Sequence, residues 1–154
     1  MSNESNVYRE LQQHLDDLPI GFPTTESGIE IRLLKLLFTP EEAKIATQLS
    51  FAYEALEDIY ERVDKNVMSI EELEKILDNS VKKGAIHSKK EGNTKYYINA
   101  MFMIGMYDMQ SHRTNIDDES LIDFLKTSSQ YFDEAMDAEM FSSGIPQFRI
   151  VPIE

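Results

Sequence analysis

The stretch from Ser69 to Ala100 constrains this chain more than any other, because it carries a start signal, a stop signal and a reversal in one unbroken run. Ser69 followed by Glu72 is a capping box: the serine oxygen takes an orphan amide and the glutamate reaches back to the cap amide. Ile70, Leu73, Ile76, Leu77 and Val81 recur at three- and four-residue spacings, which predicts one apolar stripe on a helix. Lys82 and Lys83 suit the negative end of that helix, and Gly84 stops it by accepting a left-handed backbone. AIHSKK and TKYYINA then flank Glu91, Gly92 and Asn93, a short polar loop with glycine that predicts a tight hairpin.

A capped helix running straight into a hairpin predicts a winged helix-turn-helix, with residues 54–82 as the helix-turn-helix and 85–98 as the wing. Upstream, YRELQQHLDDL from Tyr8 to Leu18 is a short amphipathic helix, broken by Pro19, Gly21 and Pro23. A second helix runs from about Ser27 to Phe38, dense in leucine. Thr39, Pro40 and Glu42 open a third, buried through Ala43, Ile45, Ala46 and Leu49. Tyr53 to Val63 reads as a fourth. Downstream, Met101 to Met109 is apolar on almost every side. A final helix is expected from Asn115 to about Phe141 through Leu121, Phe124, Leu125, Phe132, Ala135, Met136 and Met140, followed by a closing extended strand, QFRIVPIE. The expected architecture is therefore mainly α (α+β). It comprises a lead helix and linker over 1–25, a winged helix-turn-helix over 26–100, and a helical extension ending in a strand over 101–154.

With 154 residues and 42% hydrophobic content, the chain holds one globular domain, with or without a helical extension. It has no cysteine, so it forms no disulfide, thiolate zinc site or cluster ligation of its own. No apolar run approaches the roughly 18 residues a membrane span needs, and the start lacks a secretion signal; a soluble cytoplasmic protein is expected. Net charge is −13, against a nucleic-acid binder as a whole. Five lysines and one glutamate between Lys82 and Lys95 nevertheless give a local +4, leaving −17 elsewhere. Contacts to nucleic acid or to a partner are expected from Asn79, Lys82, Lys83, Lys89, Lys90 and Lys95, and for DNA they must come from there, since the helix opens with Glu71, Glu72 and Glu74, which repel phosphates.

Catalysis is unsupported: there is no cysteine nucleophile, phosphate loop or helix bearing two histidines and a glutamate, so no enzyme activity is expected. Glu10 with His14, and Asp108 with His112, are spaced to share a metal, but two ligands do not complete a site. Met101, Met103, Met106 and Met109 read as adaptable core or interface filling. The methionine-rich segment and the final helix either pack on the body or form a two-fold interface through Phe102, Met103, Met106, Phe124 and Phe132.

The stretches IEIRLLKLLFTPEEAKIATQLS, LEDIYERV, MSIEELEKILDNSVKKGAI, KYYINAMFMIGMYDMQ and PQFRIVPIE resemble, over about 20–154, the N-terminal winged-helix region of archaeal and bacterial ferredoxin-type 4Fe-4S iron–sulfur proteins. LFTPEEAKIA and YYINAMFMIGMYDMQ are the more specific pieces. In that family the cluster cysteines follow the segment resembling PQFRIVPIE, and no cluster ligand maps onto any residue here. The resemblance implies a [4Fe-4S] cluster on a part absent from this chain, beyond Glu154. It also implies a non-enzymatic role in docking a protein partner or the chain's own ferredoxin domain. The alternative is a transcription regulator touching DNA through the basic wing.

Overall fold

The structure is a computed structural model that describes residues 3–111 and 118–141. The fold is mainly α with a small antiparallel sheet. In order come α1 (Asn3–Asp16), α2 (Ile29–Leu37), α3 (Pro40–Ala46), β1 (Glu54–Ala55), α4 (Leu56–Tyr60), α5 (Ile70–Lys82), β2 (Ile86–Glu91) and β3 (Thr94–Asn99). A π-type turn (Phe102–Tyr107) leads into α6 (Asp108–Ser111). After α7 (Glu119–Tyr131) a second π-type turn (Phe132–Met136) runs on into α8 (Asp137–Phe141).

Local chemistry sets the two helices expected from capping boxes. Thr39 and Ser69 each accept from the amide three residues on, and Glu42 and Glu72 return to the cap amides at 2.7 and 2.8 Å. At the far end of α5, Gly84 donates to Val81 O and Ala85 to Ser80 O, the paired bonds of a Schellman stop, with Gly84 at φ +72. The hairpin pairs Glu91 with Thr94 through Ile86 with Asn99, and Gly92 turns it at φ +59.

The fourth expected helix is corrected. Glu54 and Ala55 are a strand, paired with Tyr97 and Tyr96, so the sheet order is β1–β3–β2 and the helix is only Leu56–Tyr60. Glu54 is held there by two 2.9 Å bonds from Arg62, which also donates to Gln48 O at 2.8 Å. The helical pattern of YEALEDIYERV loses locally to a sheet edge that offers β3 its missing backbone partners.

Met101–Met109 is also not one regular helix. Ile104 has φ −95 and ψ 27, and Met106 donates to Met101 O, five residues back. The kink lets Gly105 approach Ala100, where a Cβ would lie 2.8 Å from the alanine methyl. Phe102 and Met106 thereby enter the core, whereas Ile104 and Met109 stay exposed. On α7 the buried face is Leu121, Phe124, Thr127, Ser128 and Tyr131; Leu125 lies outside it, as does Leu36 on α2. The expected start of this helix at Asn115, His112 and the closing strand fall outside the described residues.

Aromatic contacts fasten these C-terminal elements to the body. Tyr131 sits 4.8 Å from Phe22 and 5.5 Å from Phe102 between ring centroids, and its hydroxyl donates to Pro23 O at 3.0 Å. The described part of the extension packs on the body. Phe102, Met106 and Phe124 are at most 2% exposed, and Met103 and Phe132 pack half-buried against the same core. Within the single chain these side chains therefore lie in its own core or against it.

Gly84 and Gly92 share a left-handed backbone but not their surroundings. A Cβ on Gly84 would meet Met109 Cβ at 2.6 Å, whereas one on Gly92 meets nothing within 4 Å. Gly92→Ala is expected to cost about 1 kcal/mol, the left-handed penalty alone, and Gly84→Ala at least about 2 kcal/mol. Urea unfolding of both variants checks the difference.

Candidate functional site

α5 and the β2–β3 hairpin bring the expected contact residues to one side of the molecule, but their charges are largely spoken for. Lys95 on β3 donates to Asp78 at 2.8 Å and pairs with Glu74 at 2.9 Å, both on α5. Lys83 reaches the buried carboxylate of Glu42 at 2.6 Å, the same oxygen that closes the α3 capping box. Lys89 pairs with Glu91 at 2.7 Å. Lys82 and Lys90 are exposed and make no ion pair among the described residues. Asn79 is half-buried and lines a depression of about 290 Å³ with Val67, Met68, Glu72 and Ile76.

Asp78 is the residue the sequence reading missed. Its two oxygens accept separately, from Lys95 Nζ and from Tyr97 OH, each at 2.8 Å. Partial burial pushes its pKa up, but the bonds from Lys95 and Tyr97 outweigh this and hold the carboxyl below the usual value. The same contacts raise Lys95, through Asp78 first and Glu74 next. Tyr97 is raised by burial and then by Asp78. The only sequence signal for this clamp was the spacing Glu74–Asp78, two acids one turn apart on α5 facing a lysine-bearing hairpin.

The opposite face of the sheet carries Tyr96, His87, Lys89 and Tyr53. Lys89 Nζ lies 4.6 Å from the Tyr53 ring centroid and 5.4 Å from that of Tyr96. His87 is half-buried beside Gly105, and burial lowers its pKa. Tyr53, expected to open a helix, instead precedes β1 and is exposed.

For metals, His14 is engaged elsewhere: its Nε2 donates to Leu49 O at 2.8 Å, and Glu10 accepts from Asn6. Among the described residues no three histidine, aspartate or glutamate side chains converge as a metal site. No helix among them is long and apolar enough to cross a membrane. Comparison with protein-family models, curated proteins and solved structures finds no match to this chain.

Because the folded Asp78 titrates below its unfolded value of about 3.9, its contribution to stability is present above that pH and is lost as pH falls through the folded value. Asp78→Asn is therefore expected to flatten the acid limb of the stability curve below about pH 4, with a loss of less than roughly 1 kcal/mol at neutral pH given its partial exposure. Thermal unfolding between pH 2.5 and 7 measures both.

Proposed function

We propose that residues 40–99 form a winged helix-turn-helix used as a non-enzymatic docking module for a protein. The order α3, β1, α4, α5, β2, β3 with a β1–β3–β2 sheet supports the winged-helix assignment: α5 takes the place of the recognition helix and the hairpin that of the wing. One observation carries the choice of partner class. Lys95 lies between Glu74 and Asp78, so the wing's charge is spent on the recognition-type helix, whose outward side keeps Glu71 and Glu72. Freeing Lys95 for a phosphate would leave two carboxylates facing the duplex backbone.

The resemblance to ferredoxin-type 4Fe-4S proteins supplies the partner's chemistry: a protein or domain bearing a [4Fe-4S] cluster. This chain has no cysteine to hold such a cluster, and no histidine–carboxylate group among its described residues substitutes for one. On this reading the docked part would hold the cluster.

Titrating the ¹⁵N-labelled chain with a [4Fe-4S] ferredoxin-type protein is expected to shift amides within 54–98; unmoved amides at saturating partner would remove this reading. Lys82 and Lys90, which make no ion pair among the described residues, favour DNA as the competing reading. Each phosphate contact contributes a salt slope of about −0.9. Binding through those two alone weakens roughly tenfold between 50 and 200 mM salt, and through all five lysines roughly 500-fold. Fluorescence anisotropy is expected to register no duplex binding at 50 mM. Binding with the steeper slope, abolished by Lys89→Glu with Lys90→Glu, would establish DNA instead.

A further inference from the structure

The outer face of the sheet gathers two tyrosine rings and a carboxylate around one lysine. β3 sends Tyr97 inward to Asp78 and leaves Tyr96 half-exposed on the other side. Tyr53, two residues before the Ala55 that pairs with Tyr96, is 42% exposed on the same side. Two tyrosine rings and the Glu91 carboxylate thus surround one ammonium group, that of Lys89, at 4.6, 5.4 and 2.7 Å. Aromatic faces paired with a carboxylate attract an organic cation, through ring quadrupole and charge together.

We infer that Tyr53, Tyr96 and Glu91 form a capture site for a lysine side chain of the protein partner, held closed in the free chain by Lys89. The resident group identifies the ligand chemistry, because the two rings and the carboxylate already hold an ammonium. Lys89 sits on the exposed hairpin strand, and its side chain is 40% accessible, so it can swing out without disturbing the core. The acidic body, −17 outside the Lys82–Lys95 segment, draws a basic partner toward the molecule, and moving Lys89 aside leaves the two rings with the charge of Glu91. Displacement exchanges one ammonium for another, so affinity at this point is modest and the gain lies in choosing where a basic partner segment seats. This inference rests on the docking reading and gives that partner a basic, lysine-bearing contact segment.

The test uses Nα-acetyl-lysine-N-methylamide as probe, followed by ring-current shifts of its ε-methylene protons and by the Tyr53 and Tyr96 ring resonances. Lys89→Gln empties the pocket and is expected to tighten probe binding about tenfold over the parent chain. The norleucine analogue, which lacks the ammonium, is expected to gain nothing. Adding Tyr53→Ala to Lys89→Gln should return affinity to the parent level, and Glu91→Gln in the same background should weaken binding without touching the aromatic packing. No gain in Lys89→Gln, a gain shared by the norleucine analogue, or a gain surviving Tyr53→Ala overturns the inference. Because the probe reads the pocket without a partner, failure here removes lysine capture and leaves docking through another surface standing. Duplex binding would remove docking and leave the pocket intact.

Discussion

One carboxylate ties the two halves of the candidate surface together. Asp78 accepts from Lys95 with one oxygen and from Tyr97 with the other, so helix α5 and strand β3 share a charged and a neutral hydrogen bond at a single residue. Tyr97 is fully buried while Lys95 is about a third exposed, which places the clamp at the boundary between core and solvent. Charge-assisted bonds of this kind are stronger than neutral ones, and here they also fix direction. The hairpin leans on the helix, and its cation is turned inward against acids that would otherwise face outward together. Electrostatics and packing settle the same geometry.

The second organising contact runs through Glu42. Its side chain closes the cap of α3 and accepts from Lys83 at the end of α5, while Gln110 donates to the Lys83 carbonyl at 2.6 Å. The start of one helix, the end of another and the methionine-rich segment thus meet within a few residues. Gly84 is needed at that junction because Met109 occupies the space a side chain would take. From here the aromatic seam of Phe22, Phe102, Phe124 and Tyr131 carries the packing into the C-terminal helices. An extension rich in Phe and Met finds apolar partners within the same chain, so Phe102, Met106 and Phe124 are internal.

On the surface, the outcome for function turns on pairing rather than on composition. A hairpin with a local excess of lysine looks cationic until each ammonium is located. Lys83, Lys89 and Lys95 are each within 3 Å of a carboxylate oxygen, and Lys82 and Lys90 alone of the five remain unpaired among the described residues. This pairing is the basis on which we propose protein docking rather than nucleic-acid binding.

Where a signal is local, the sequence alone determined the structure. Ser69 with Glu72, Thr39 with Glu42, the Gly84 stop and the Glu91–Thr94 reversal each depend on backbone groups a few residues apart, so residue type and spacing suffice. The buried stripe of α5 follows for the same reason, since helical periodicity alone brings Leu73 and Leu77 to one side. Tertiary structure decided what depended on distant partners. Glu54 and Ala55 became a strand because β3 had an open edge. Ile104 left the helical region because Gly105 must meet Ala100. Phe102, Met106 and Phe124 went inside because Phe22 and Tyr131 were there to receive them. The charge of Lys95 was neutralised only because folding brought Asp78, seventeen positions earlier in the chain, within hydrogen-bond reach. Short-range hydrogen bonding is written in the order of residues, whereas the fate of a charge or a ring depends on which surface arrives opposite it.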